Sequence, residues 1–124
     1  MFYIQKTINT PKIKFEDGVL IISGRCIPEN ALILYEPLFK YIAEYTIKPY
    51  PLTEVNILLE YSNSSTNRAL MTIFTLLEKI FENGNNIRVY WYYEPGDEFM
   101  MDLGNDFKSI LRMPIVVEER ELPL

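Results

Sequence analysis

Apolar and polar residues alternate most plainly near the start of the chain, where Ile13 and Phe15 are interleaved with Lys12, Lys14 and Glu16. A period of two places one face of a strand against a core. Asp17-Gly18 then interrupts the pattern and Val19 to Ile22 resumes it, so residues 12–23 predict a β-hairpin with a tight Asp-Gly turn. The loop "GRCIPEN" follows, its Pro28 pre-setting the chain for a helix start. Between Glu29 and Thr46 the period lengthens: Tyr35, Leu38, Ile42 and Tyr45 recur at helical spacing with Glu36, Lys40 and Glu44 between them. Pro37 lies inside that pattern and predicts a short first turn, a break, and a main helix from about Glu36. After "KPYP", the run "TEVNILLEY" reads as a strand rich in Val, Ile and Leu, as a strand buried on both faces would be.

The clearest helix comes next. Leu70, Ile73, Phe74, Leu77, Ile80 and Phe81 share one face, and Arg68, Thr72, Glu78, Lys79 and Glu82 the other. "NGNN" ends it, with Gly84 as a left-handed cap. "IRVYWYY" is a β-rich run, "EPGDE" a turn, and a third amphipathic helix carries Phe99, Leu103, Phe107 and Ile110 before a last strand in "PIVVEE". In the run of aromatics, Val89 and Trp91 are expected to be core, while the tyrosines stay open between core and interface.

The order β-β-α-β-α-β-α-β predicts one α/β domain over residues 1–124, a mixed and largely parallel sheet of about five strands with three helices packed against it. In such a sheet the loops "SGRCIPEN", "SNSST" and "EPGDE" gather at the carboxyl edge, where open α/β sheets usually place their sites.

Composition narrows the function classes. The chain has 124 residues, 48% hydrophobic and 23% charged, which suits one globular core. A net charge of −5 with scattered basic residues argues against nucleic acid as a partner. No apolar run approaches a membrane span and the first residues lack a secretory pattern, so the cytoplasm is the expected address. The sequence holds no histidine and one cysteine, Cys26, expected to be a small semi-buried residue. No cofactor is implied.

Candidate chemistry concentrates in Ser62 to Thr66, five small polar residues between a strand and a helix. Ser, Thr and Asn are favoured N-caps, so "NSST" needs no function to explain one of its hydroxyls. A phosphate-cradling loop would need glycine and lysine, which are missing. Nucleophilic serine chemistry would need a base and a glycine-flanked elbow, also missing.

"ISGRCIPEN", "YSNSST", "VYWYYEPGDEFMMDLGNDF" and "MPIVV" stand in an order and spacing that resembles the SiaC-type regulatory phosphoproteins, small bacterial cytoplasmic proteins. The resemblance covers about Ile13 to Val117. It implies a fold similar to anti-sigma factor antagonists and a non-enzymatic signalling role. In that family a partner kinase phosphorylates one hydroxyl at a helix start, and a partner phosphatase removes the phosphate. The unmodified form binds a downstream target, a diguanylate cyclase in the described system. The acceptor there is usually a Thr in a Tyr-x-Asn-Thr-Ser-Ser pattern. Here Tyr61 and Asn63 are retained, Ser64 takes the acceptor position, and Ser65 and Thr66 fill the next two. Arg25, Glu29, Asn30, Tyr61, Asn63, Arg68, Glu94, Asp97 and Glu98 are the expected partner-binding residues. Two other classes compete: an enzyme using the "EPGDE" carboxylates around magnesium, and an unmodified oligomeric scaffold.

Overall fold

In a computed structural model, which describes residues 1–121, the chain runs β1 (Phe2–Ile4), β2 (Lys12–Glu16), β3 (Val19–Arg25), α1 (Ala31–Tyr45), β4 (Leu52–Tyr61), α2 (Ser64–Glu82), β5 (Asn86–Tyr93), α3 (Glu98–Ile110) and β6 (Ile115–Glu119). The six strands lie side by side in chain order. β1, β2 and β3 pair antiparallel, and β3, β4, β5 and β6 pair parallel. The mixed, largely parallel sheet with three helices is therefore as expected, with six strands rather than five. The additional one, β1, is too short to show a period.

The β2–β3 turn is built on Asp17 and Gly18, both with positive φ (51° and 80°), the pattern of a type I′ hairpin. Gly18 is required twice over, because a Cβ there would lie 2.9 Å from the Leu52 carbonyl oxygen.

Each parallel crossover steps in the same direction across the sheet, so right-handed connections bring all three helices to one face. Burial follows that geometry. Leu20 and Ile22, Val55, Ile57 and Leu59, and Ile87, Val89 and Trp91 are buried on the helix side. Glu54, Asn56, Arg88, Tyr90 and Tyr92 alternate with them on the open side. The expectation that the β4 strand is buried on both faces is thus corrected. Only one face has helices over it.

Three further expectations change. α1 passes through Pro37 without a break. Ile33 and Pro37 are both exposed, so water can take up the carbonyl that the missing N–H leaves free. α3 turns Met100, Gly104 and Phe107 inward, while Phe99 and Ile110 stay exposed at 64% and 61%. The phase is set by Trp91, whose Nε1–H donates to the Met100 carbonyl at 2.9 Å. α3 lies so close to that indole that a Cβ on Gly104 would come within 2.7 Å of Trp91 Nε1. Phe74, Trp91 and Phe107 then pack edge-on or tilted, with centroids 5.0–6.5 Å apart. Cys26 is fully buried rather than semi-buried. Val89 and Trp91 are core, as expected, and Tyr90 stacks on Tyr92 on the open face.

Candidate functional site

The hydroxyl run at the start of α2 is sorted by tertiary contacts. Asn63 is the N-cap, in extended geometry, its Oδ1 accepting from the Thr66 N–H at 2.8 Å. None of the hydroxyls caps α2. Asn63 Nδ2 also donates to the carbonyls of Ile27 and Pro28, at 3.1 and 3.2 Å, which clasps the β3–α1 loop to the helix. Ser65 Oγ accepts from the Ala31 N–H at 2.7 Å in a buried contact. It supplies the first turn of α1 with the acceptor that the Asn30 side chain does not provide. Thr66 Oγ1 donates to the Cys26 carbonyl at 3.5 Å, and Ser62 Oγ to Asn67 Oδ1 at 2.5 Å.

Ser62, Ser65 and Thr66 are buried. Ser64 is exposed, and no hydrogen bond to its hydroxyl is made among the described residues. It occupies the first position of a 19-residue helix, on the positive end of the macrodipole.

Around it the parallel topology delivers the expected loops to one edge. Arg25, at the end of β3, pairs with Glu60 at 3.4 Å. Arg25, Ile27, Glu60, Tyr61 and Glu94 line a shallow depression of about 420 Å³. A neighbouring cleft of about 540 Å³ is lined by Glu60, Tyr61, Ser62, Asn63, Asp97, Phe99 and Met100. Tyr61, Asn63, Arg25, Glu94 and Asp97 are therefore brought together. Glu29 and Asn30 stand exposed on the loop before α1, and Glu98 is exposed in the first turn of α3. Arg68, one turn along α2 from Ser64, faces a separate depression lined by Met71, Thr72, Thr75 and Leu76. Two expected partner residues have structural duties: Asn63 as clasp, and Asp97 as the α3 N-cap, accepting from the Met100 N–H at 3.1 Å.

Three residues of this edge were not anticipated: Ile27, Glu60 and Phe99. Phe99 sits immediately after Asp97 and Glu98, in the first turn of a helix whose inner row begins one residue later. An aromatic in that position next to the cap was the available signal.

The strand order never reverses along β3 to β6, so the edge has no crevice of the switch-point kind that holds small ligands in doubly wound sheets. Among the described residues no three or more His, Cys, Asp or Glu side chains converge as metal ligands would, and the magnesium reading has no assembled site there. No helix among them is long and apolar enough to cross a membrane.

Fold and site define a class: a small α/β protein with a one-sided sheet, offering one free hydroxyl at a helix N-terminus on an open, mixed polar and apolar edge. The sequence model of the family described as "SiaC family regulatory phosphoprotein" matches residues 4–120, and the chain belongs to that family. An uncharacterized protein of Pseudomonas aeruginosa (strain UCBPP-PA14) is 25% identical over 121 residues, 96% of each chain. Three solved structures share the fold, and two of them serve for comparison. One is the crystal structure of the diguanylate cyclase SiaD in complex with its activator SiaC from Pseudomonas aeruginosa. It matches with TM-score 0.89 and 24% identity over 97% of this chain and 100% of that one. The other, SiaC of Pseudomonas aeruginosa, matches with TM-score 0.86 and 24% identity over 96% and 98%.

Proposed function

We propose that this protein is a non-enzymatic, phosphorylation-controlled binding protein of the cytoplasm. Its bare form docks on a diguanylate cyclase through the carboxyl edge of the sheet. A partner kinase adds a phosphate to Ser64, and a partner phosphatase removes it. The observation that carries the reading is the sorting of the hydroxyls. Ser65 and Thr66 are buried and bonded, whereas Ser64 is exposed at the helix start and its oxygen has no partner among the described residues. Family membership supports a regulatory phosphoprotein, and the fold likeness to an activator of a diguanylate cyclase supports the class of target.

A phosphate on Ser64 carries roughly −1.5 to −2 charges at neutral pH. The helix dipole favours it by only about 0.3–1 kcal/mol, so the fold accommodates it without rearranging. At the interface the effect is larger. A partner carboxylate about 6 Å away, at an effective dielectric near 20, is repelled by roughly 3 kcal/mol per unit pair. That corresponds to about 100-fold in affinity. Any surface closing over the dianion must also strip its water. Modification at Ser64 therefore releases the target while leaving the backbone in place.

The test is a titration of the diguanylate cyclases of the source organism with the bare protein, the kinase-treated protein and Ser64→Glu. The bare form should bind one of them, and both charged forms should bind it at least about 30-fold more weakly. Equal affinity for all three would remove the switch, and no binding to any cyclase would remove the target class.

A further inference from the structure

A second groove is at the opposite pole. It measures about 670 Å³ and opens on the uncovered sheet face, where the amino ends of β4, β5 and β6 meet the turn after α2. Its walls include Leu52, Phe81 and Val116, three large apolar side chains left 44%, 38% and 46% exposed. Tyr90 lies on the same strand face as Arg88, two residues further along β5. Arg88 is exposed, and among the described residues no carboxylate comes within ion-pairing distance of it. Its cross-strand neighbour Glu54 instead accepts from Asn56 Nδ2 at 3.3 Å. Among the described residues Arg88 is the only charge in the lining, a positive point in a chain of net charge −5. Exposed aliphatic and aromatic side chains around an arginine are the composition of a protein-binding patch.

We infer that this groove is a second docking surface, which takes a segment of a partner protein carrying a carboxylate beside an apolar side chain. The carboxylate pairs with Arg88, where the fork of N–H donors suits bidentate contact, and the apolar residue seats on Val116 and its cross-strand neighbour Tyr90. Ten residues of β4 separate this pole from Ser64, on the order of 30 Å of strand. That is several times the screening length of about 8 Å at physiological ionic strength. The groove therefore holds its partner whether or not Ser64 is phosphorylated, so one molecule carries a switched surface and a constitutive one.

A dodecapeptide display library panned on the immobilised full-length protein tests this. Winning peptides would then be titrated in solution against wild type, Arg88→Glu, Val116→Lys and Ser64→Glu. Expected winners place Asp or Glu within a few residues of Leu, Ile or Phe. Their affinity should fall at least about ten-fold in Arg88→Glu and Val116→Lys, and should change less than about two-fold in Ser64→Glu. Arg88→Ala carries the same test if the charge reversal fails to fold. Basic winners, winners indifferent to Arg88, winners sensitive to Ser64→Glu, or no enrichment would each overturn the inference. So would self-association in sedimentation that Arg88→Glu dissolves, which would assign the groove to a second copy of the chain.

Discussion

Replacing Ser65 by alanine removes the acceptor for the Ala31 N–H, a buried bond of 2.7 Å. The Asn30 side chain makes no capping bond, so the first turn of α1 has no substitute close by. A buried donor left without a partner costs about 1–3 kcal/mol. For a chain of this length the unfolding entropy near 60 °C is roughly 0.26 kcal/mol/K, at about 2.1 cal/mol/K per residue, so each kcal/mol moves the midpoint by about 4 °C. Ser65→Ala should therefore lower the thermal midpoint by about 4–12 °C. Ser64→Ala removes a hydroxyl that bonds nothing in the described chain, and exposed substitutions of that kind stay within about 0.5 kcal/mol, or roughly 2 °C. Circular dichroism melts of the two variants at one concentration and pH compare the neighbours directly. A Ser65→Ala midpoint within a degree or so of wild type, or an equal loss in Ser64→Ala, would refute the division of labour between the two hydroxyls.

Other expectations follow from the same geometry. Gly104→Ala puts a Cβ against Trp91, the only tryptophan, and should destabilise by about 1–3 kcal/mol while shifting the fluorescence of that indole. An unchanged spectrum and denaturation midpoint would count against the close α3–Trp91 contact. The Tyr35 hydroxyl is buried without a hydrogen-bond partner among the described residues, and burial first, then the nearby Cys26, pushes its pKa well above the usual tyrosine value. Above about pH 10 the unfolded chain releases that proton and the folded chain keeps it, so stability falls as pH rises. Tyr35→Phe should be neutral to stabilising at neutral pH and should show a shallower loss in urea between about pH 9 and 11. A loss as steep as in wild type would contradict the burial of a protonated phenol. Phe99→Ala should leave the melting midpoint unchanged and weaken target binding at least about ten-fold, as loss of an exposed aromatic anchor would. Undiminished binding would exclude the cleft beside Ser64 from the interface.

What was legible in the sequence was whatever depends on near neighbours. Asp17-Gly18 announced the hairpin because both φ values must be positive there, and the α2 pattern announced a helix because its apolar row is unbroken for three turns. The parallel order, and with it the meeting of the loops after β3, β4 and β5, followed from alternating elements and the handedness of crossovers. Contacts between distant residues were not legible. The bonds from Asn63 to Ile27 and Pro28, and from Ser65 to Ala31, span more than thirty positions, and nothing local in "NSST" distinguishes the serine that is tied from the one that is free. The phase of α3 was hidden for a related reason. Phe99, Leu103 and Ile110 form one apolar row and Met100, Phe107 and Leu111 another. Trp91, reached only through the sheet, selects the second by way of Gly104. β4 misled because Leu58 interrupts its alternation, making a one-sided strand look two-sided.

The central claim is that Ser64 alone of its run receives a phosphate, and phosphosite mapping by mass spectrometry of the protein recovered from its own cells tests it most directly, with a Ser64→Ala strain alongside. A single phosphate on Ser64 that disappears in the variant, with Ser65 and Thr66 unmodified in both strains, is the expected result. A phosphate on Ser65 or Thr66, or none on any of the three when the kinase is present and active, would contradict it.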